Sequence, residues 1–388
     1  MSIVSADLWP AASVAVNSVT DLKSVYVIGS GNGGSPTHDY AEWLADCVDR
    51  PAFASGSADG TVMLMYSSGT TGRPKGVMIS DANLRFGIEA NGVLSVSPTS
   101  VCLLALPTFH IGGASWGLTA LAAGARTLLH QDVAPARIVE SIVGDRVTHL
   151  LLVPTVIESV LDLPGLAAMD LSSLELLVYG ASPISERTLD RAVRSLSCDL
   201  IQGCGAAEVT GMVALLSPAD HLDRSQRHRL RSAGRPVSGV EVRILDLETD
   251  VDVEAGAVGE IAVRGPQVCS GYWRLPAATV EVIRPGGWLR TDDVGRVDGD
   301  GYLYIEDRIK DLIVSGGENV YPAEVESVLL THESVAEAAV VGIPTIAGAR
   351  CHSRSWSRRP MRTSTNPCYS TTSETGSPTT SARRASKW

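Results

Sequence analysis

The sequence predicts an α/β fold that gives way to a β-rich stretch and then a small α+β module. Three observations carry that prediction. From residue 61 onward, short apolar runs alternate with amphipathic segments. Several runs are apolar at nearly every position, as strands covered on both faces of a parallel sheet are. Near residue 230 the pattern changes to period-two alternation broken by glycine turns.

The predicted strands are "TVMLMY" (61–66), "VCLLALP" (101–107), "RTLLH" (126–130), "HLLLVP" (149–154), "LELLVYG" (174–180) and "CDLIQGCG" (198–205). Predicted helices cover 81–94, 134–146 and 185–196, with Asp81 and Ser185 as candidate N-caps. Alternating strands and helices of this kind make α/β order. The β-rich part holds "GVEVRILDLETD", "GEIAVRGPQV" and "GYLYIEDRIKDLIVSGG", and from Pro322 one helix and then a strand are expected.

The chain has 388 residues, 44% of them hydrophobic and 19% charged, which fits a folded protein of two or three domains. A net charge of −11 argues against general nucleic-acid binding, which needs basic surface. The seven cysteines show no metal-ligand or redox spacing and read as reduced thiols. No basic leader precedes the early Asp7, and no apolar run reaches the ~18 residues that span a bilayer. The expected setting is the cytoplasm, at most peripheral to a membrane. Residues 345–388 carry seven Arg and one Lys against the single acid Glu374, and seventeen of them are Ser or Thr. Such a segment is expected to stay solvated and disordered, because it has little apolar surface to offset its ordering entropy.

The stretch "YSSGTTGRPKG" (66–76) has the layout of a phosphate cradle: strand, Gly/Ser/Thr loop, lysine. Backbone N–H groups and hydroxyls can wrap phosphate oxygens there, with Lys75 adding charge. It is not a Walker A loop, because Pro74 precedes the lysine and Gly76 follows it. Alone, it also reads as an exposed flexible loop, but the apolar strand just before it favours a site. A second glycine-rich run, "GSGNGGS" (29–35), has no strand–helix frame in the sequence and reads as a surface turn.

Further stretches follow in order: "LPTFHIGG" (106–113), "YGASPI" (179–184), "QGCGAAE" (202–208), "GEIAVRGPQVCSGYW" (259–273), "WLRTDDVGRVDGDGYLYI" (288–305) and "DRIKDLIVSGGENVYPAEVE" (307–326). With the loop, this ordered set resembles the adenylate-forming superfamily of acyl-CoA synthetases, aryl-CoA ligases, luciferases and peptide-synthetase adenylation domains. The resemblance covers roughly residues 61–344. It implies a large N-terminal domain of mostly parallel sheets flanked by helices, a small β-barrel-like subdomain and an incomplete small α+β C-terminal domain. The implied divisions are 1–60 (a remnant of the N-terminal lobe), 61–306 (adenylation), 307–344 (hinge and start of the lid) and 345–388 (tail).

The implied chemistry has two steps. ATP and a carboxylic acid give an acyl-adenylate and pyrophosphate; a thiol, usually coenzyme A, then takes the acyl group. By the resemblance, Ser67, Ser68, Gly69, Thr70, Thr71, Gly72 and Lys75 hold the β- and γ-phosphates, and Glu208 holds Mg²⁺. Gly180, Ala181, Ser182, Gln202, Gly203 and Cys204 line the adenine, while Asp293 and Arg308 reach the ribose. His110 orients the acid and Lys310 lies at the domain hinge. Ser315, Gly316, Gly317 and Glu318 line the pantetheine tunnel. Read singly, Glu208 is equally a solvated loop carboxylate and Asp293 or Arg308 part of a surface ion pair.

"FHIGGASWG" has no acid to pair a substrate ammonium, which disfavours an amino acid. Gly112, Gly113, Ala114, Gly205, Ala206 and Ala207 are expected to leave room for a fatty acyl chain. A carrier protein as acyl acceptor, or an inactive ATP- or acyl-binding remnant, are the alternatives. The chain departs from the family pattern in three respects. Cys204 and Ala207 replace an aromatic and a Thr, the lobe before the phosphate loop is short, and the pattern stops after "AAVVGIPT" as if read in a shifted frame. Lys387 lacks the context of the family's C-terminal catalytic lysine and is given no role.

Overall fold

The computed structural model describes residues 2–19, 21–29, 37–47, 56–67, 74–315, 318–330, 335–344 and 350–358. The chain divides into two compact units, residues 1–57 and 58–388.

In the first unit, β1 (Ser2–Ser5) leads through α1 (Trp9–Ser18) to β2 (Val25–Ile28), which pairs with it in parallel. A parallel pair needs such a crossover helix. β3 (Thr37–Asp39) adds to β2, again in parallel, and runs into α2 (Tyr40–Ala45). The Asp39 side chain caps that helix by accepting from the backbone N–H of Ala41 and Glu42 at 2.8 and 2.9 Å. The "GSGNGGS" run therefore does follow a strand, contrary to expectation, although 30–36 lie outside the described residues.

The second unit begins with an antiparallel hairpin, β4 (Thr61–Ser67) and β5 (Lys75–Ser80), whose last register pair is Ser67 with Lys75. α3 (Asp81–Ala90) follows at once. Its N-cap is Ser80 and not Asp81: the Ser80 hydroxyl accepts from the Asn83 N–H, and the Asn83 side chain accepts from the Ser80 N–H. This reciprocal pairing satisfies two helix-end donors, which Asp81 cannot do from one position further on.

Next come β6 (Val101–Leu104), α4 (Ile111–Ala122), β7 (Arg126–Leu129), α5 (Pro135–Gly144), β8 (His149–Leu152), α6 (Pro154–Leu161), β9 (Leu176–Gly180), α7 (Glu186–Leu196) and β10 (Asp199–Ala206). Ser185 caps α7 as expected, accepting from the Thr188 N–H. β11 (Gly211–Leu216), α8 (Pro218–Leu222) and β12 (Arg235–Pro236) complete a seven-stranded sheet ordered β12-β11-β10-β9-β8-β6-β7. The five strands from β10 to β7 are parallel, while β11 and β12 are antiparallel additions at one edge. Helices cover both faces. Leu103, Leu150 and Leu177 pack with Ile138, Ile142, Ile157 and Leu189 of α5, α6 and α7. On the other face Cys102, Leu104, Val178 and Ile201 pack with Trp116 and Ala120 of α4. That two-sided burial explains the unbroken apolar runs of β8 and β9.

The β-rich part contains β13 (Glu241–Leu245), β14 (Gly259–Arg264), α9 (Pro276–Val282), β15 (Ile283–Arg284), β16 (Trp288–Val297) and β17 (Leu303–Arg308). Its five strands form one antiparallel sheet in which β16 pairs with β14, β15 and β17. Val209, Val213 and Ala214 join its core of Ile244, Ile261, Val263, Leu289 and Leu303, which ties the two sheets together.

A small hairpin follows, β18 (Ile313–Ser315) with β19 (Glu318–Val320), then α10 (Pro322–Leu330) and β20 (Val335–Pro344). The segment from 345 onward departs from expectation in one stretch: β21 (Arg350–Arg358) pairs antiparallel with β20 along its whole length. Backbone hydrogen bonding supplies a partner there that composition does not reveal. Residues 359–388 lie outside the described residues. Among the described residues no helix is long and apolar enough to cross a membrane.

Candidate functional site

The hairpin of β4 and β5 sets the position of Lys75. Residues 68–73, which include Ser68, Gly69, Thr70, Thr71 and Gly72, lie outside the described residues, but the strands on either side of them are fixed. A strand and not a helix follows the loop, which separates it from a Walker A arrangement. The free edge of β5 is taken up by 270–273. Val77 bridges Tyr272, the Ser270 N–H donates to the Met78 carbonyl at 3.0 Å, and the Trp273 N–H donates to the Gly76 carbonyl at 2.8 Å.

This pairing seats Tyr272 beside Lys75, whose Nζ lies 4.9 Å from the ring centre, within cation–π range. The Tyr272 hydroxyl donates to Glu208 Oε1 at 3.2 Å. Burial, then the neighbouring Glu208 charge, hold the Tyr272 phenol well above its ordinary pKa, so it stays a donor. Glu208 itself sits on a 3₁₀ turn directly after β10, and its carbonyl accepts from the Cys269 N–H at 2.8 Å. Lys75 and Glu208 thus meet on one phenol. Tyr272 lies within the "GEIAVRGPQVCSGYW" stretch, but sequence alone assigns it no role; its one signal is a tyrosine after a glycine in "SGYW".

The other expected residues gather around the ends of β9 and β10. Gly180 pairs with Gly203 and Tyr179 with Gln202 across these parallel strands. Ala181, at φ +66°, turns the chain away from β9, and it and Ser182 are exposed. The buried Tyr179 hydroxyl lies 2.9 Å from His221 Nε2 and 3.4 Å from Gln202 Oε1. Burial pushes the Cys204 thiol up to about 12, and Asp293 nearby adds to this. Asp293 stands opposite Arg308 in the β16–β17 register and pairs with its Nε at 3.3 Å. Burial raises the Asp293 pKa; Arg308 opposes the rise, while Asp292 and Glu208 add to it. Lys75, Tyr272, Glu208, Cys204, Asp293 and Arg308 therefore belong to one electrostatic neighbourhood.

Other expected residues lie on elements next to it: Ile111 and Ala114 of α4 pack in one apolar cluster with Tyr272 and Ala207. His110 is exposed at the N-cap of α4, with its ring 4.5 Å from that of Phe109. Lys310 is exposed on a 3₁₀ turn after β17. Ser315 and Glu318 pair across the β18–β19 hairpin, while Gly316 and Gly317 are outside the described residues. The expectation of acyl-chain room at Gly113 and Gly205 is corrected. A Cβ on Gly113 would lie 2.3 Å from the Pro107 carbonyl oxygen, and one on Gly205 would lie 1.6 Å from that of Gly211. Backbone already occupies that space, so these glycines serve close packing.

The AMP-binding enzyme family model matches residues 8–273. The chain belongs to the AMP-binding enzyme family. It is 37% identical to the fatty acid–[acyl-carrier-protein] ligase ScoC of Streptomyces coeruleorubidus over 79% of this chain and 59% of that protein. It is 38% identical to the indoleacetate–CoA ligase of Aromatoleum aromaticum over 72% of this chain and 54% of that protein. Among solved structures, the amide bond synthetase McbA of Marinactinospora thermotolerans superposes with a TM-score of 0.80 at 30% identity, covering 93% of this chain and 70% of that one. This AMP-binding chain thus spans less than two thirds of the length of the two curated relatives.

The residues present fit Mg²⁺ in one way only. Among the described residues no group of three or more His, Cys, Asp or Glu side chains could cage an ion. Glu208 is partly exposed, and its one described side-chain hydrogen bond, from Tyr272, uses one carboxylate oxygen. Mg²⁺ is commonly held by one or two carboxylates plus phosphate oxygens and water, so the donor set fits a metal that arrives with a nucleotide.

Proposed function

We propose that this chain binds ATP and activates a carboxylic acid, a fatty acid by preference, as an acyl-adenylate before passing the acyl group to coenzyme A. The single observation that carries the reading is the meeting of Lys75 and Glu208 on Tyr272. A lysine and a glutamate that share one tyrosine at the base of a Ser/Thr/Gly loop suit a triphosphate that arrives with its metal.

In this reading Lys75 and the 67–72 loop hold the β- and γ-phosphates. Glu208 would hold Mg²⁺, which when bound neutralises phosphate charge. Gly180 to Ser182 and Gln202 to Cys204 flank the adenine, and Asp293 and Arg308 take the ribose hydroxyls. A substrate carboxylate oxygen, oriented by His110, then attacks the α-phosphorus in line, and pyrophosphate leaves. The residues contribute by positioning and by matching charge. Lys310 serves as the pivot, and Ser315 to Glu318 as the pantetheine path, in the thioester step.

The fatty-acid preference is supported by ScoC and by the absence of an acidic residue from the stretch "FHIGGASWG"; the aromatic acid of the second relative leaves an aryl substrate as the competitor. Loading of a carrier protein in place of coenzyme A is a second reading, favoured by the carrier-protein ligase among the relatives. Pyrophosphate release with ATP, Mg²⁺ and acids from acetate to long-chain and aryl acids tests the first step. Lys75→Ala is expected to lower it at least tenfold, on the order of the loss of one charge-assisted contact. Unchanged release in that variant rejects the assignment. Comparing coenzyme A with a holo-carrier as acceptor separates the two readings.

A further inference from the structure

We propose that Glu260 is a positioning residue for the nucleotide: its buried carboxylate holds the bulge of β16 that aims Asp293. The proposal rests on the ribose assignment of Asp293 made above.

The β14–β16 ladder is irregular at one place. Ala262 pairs with Arg290 and Glu260 with Val294, so only Ile261 faces the three residues Thr291, Asp292 and Asp293. Asp292 accommodates the surplus at φ +61°, a left-handed conformation that a non-glycine residue adopts at a cost. Bulges of this sort bend a strand and re-aim its side chains.

Two side chains hold the bulge. Glu260 is fully buried, and a buried carboxylate needs partners for both oxygens. Oε2 accepts from the Arg290 guanidinium, with Nε at 2.6 Å and Nη2 also in contact. Oε1 accepts from the Asp292 backbone N–H at 3.3 Å, inside the bulge. Arg290 is in turn held by Asp250, 2.8 Å from its Nη1. Thr291 completes the frame: its hydroxyl donates to the Ile261 carbonyl at 2.8 Å and accepts from the Asp293 N–H at 3.2 Å. Of the three bulge residues, Asp292 and Asp293 therefore both donate their N–H to side chains. The surplus residues deliver Asp293 opposite Arg308, in the neighbourhood of Cys204 and Glu208. Glutamate suits the position because an anion balances Arg290 while its second oxygen reaches the backbone.

The test is the affinity of the whole chain for Mg·ATP and for Mg·2′,3′-dideoxy-ATP, measured by calorimetry with a melting curve for each protein. Asp293→Asn, Glu260→Gln and Thr291→Val are compared with the wild type. The wild type is expected to favour ATP by about tenfold or more, the scale of hydrogen bonds to a carboxylate. Each variant is expected to bring that ratio toward one. A purely structural role for Glu260 or Thr291 would lower the melting temperature and weaken both nucleotides together, with the ratio unchanged. If Glu260→Gln and Thr291→Val keep the wild-type ratio while Asp293→Asn loses it, the positioning role is wrong and the ribose assignment stands. If the wild type does not favour ATP, or Asp293→Asn keeps the ratio, the ribose assignment fails and the proposal falls with it. Should Glu260→Gln not fold, the Thr291→Val ratio alone decides.

Discussion

Cys204 shows what one side chain's surroundings do to its chemistry. Burial pushes its thiol up to about 12, and the Cys102, Cys198 and Cys269 thiols to about 11, 12 and 11. The thiolate is the reactive form, so these four, Cys102 and Cys269 buried and Cys198 and Cys204 partly exposed, are expected to alkylate more slowly at pH 8 than the exposed Cys47. Peptide mapping after timed iodoacetamide treatment of the folded chain checks this; Cys204 labelled as fast as Cys47 rejects the burial. The same residue also bears on nucleotide binding. A thiol cannot stack on a base as an aromatic does, which forgoes roughly 1–3 kcal/mol by analogy with other base-stacking sites. In the proposed site, Lys75, Tyr272 and Asp293 must supply affinity that the adenine contact does not. What sequence could not reveal at this scale is the state of Glu260. A glutamate in an alternating strand reads as the solvent face, yet it is fully buried, because Arg290 comes back to it from another strand.

At the scale of elements, the parallel sheet was readable because its strands have two apolar faces. Leu176, Leu177, Val178 and Tyr179 are all buried, and no helix period fits such a run. The ends of elements were harder. "VCLLALP" reads as seven strand residues, but β6 stops at Leu104 before the turn that leads to α4. Ser80 and Asp81 are both cap-forming types, and only the reciprocal bond with Asn83 decides between them. The turn from β10 into the Glu208 segment depends on a close backbone approach at Gly205. Gly205→Ala is expected to destabilise the fold by about 1–3 kcal/mol, because the Gly211 carbonyl must move aside. Urea denaturation measures that loss, and a midpoint equal to wild type would show that the strands part at no cost. Nucleotide affinity is expected to fall in the same variant, since Glu208 lies three residues further along.

For the whole molecule, three desolvated imidazoles, His149 and His221 buried and His130 partly exposed, bear on the pH response. Burial lowers the pKa values of His130, His149 and His221, so each is neutral in the folded protein near pH 7. At His221 burial outweighs the Ser217 carbonyl, which accepts from Nδ1–H at 2.6 Å and raises the pKa, while Nε2 accepts from the Tyr179 hydroxyl. The unfolded chain binds protons at these residues near pH 6.5, above the folded values. Stability therefore rises with pH through that window and is lost as pH falls below it. Carboxylates held low, such as Asp170 at about 2, add their loss only under much stronger acid. A melting temperature that falls from pH 7.5 to pH 5.5 is the expected outcome, and a flat profile contradicts it.

The bridge between Val77 and Tyr272 also has a consequence in time. About 200 residues separate the two strands that meet there, so closing that contact brings together distant parts of the chain. During synthesis β5 emerges long before 270–273, and one edge of the lysine-bearing strand stays open until the second sheet begins to form. The Lys75–Tyr272–Glu208 contact therefore cannot close until residue 272 has been made, long after Lys75. An open strand edge that persists this long is a place for a chaperone, or for another nascent chain, to bind.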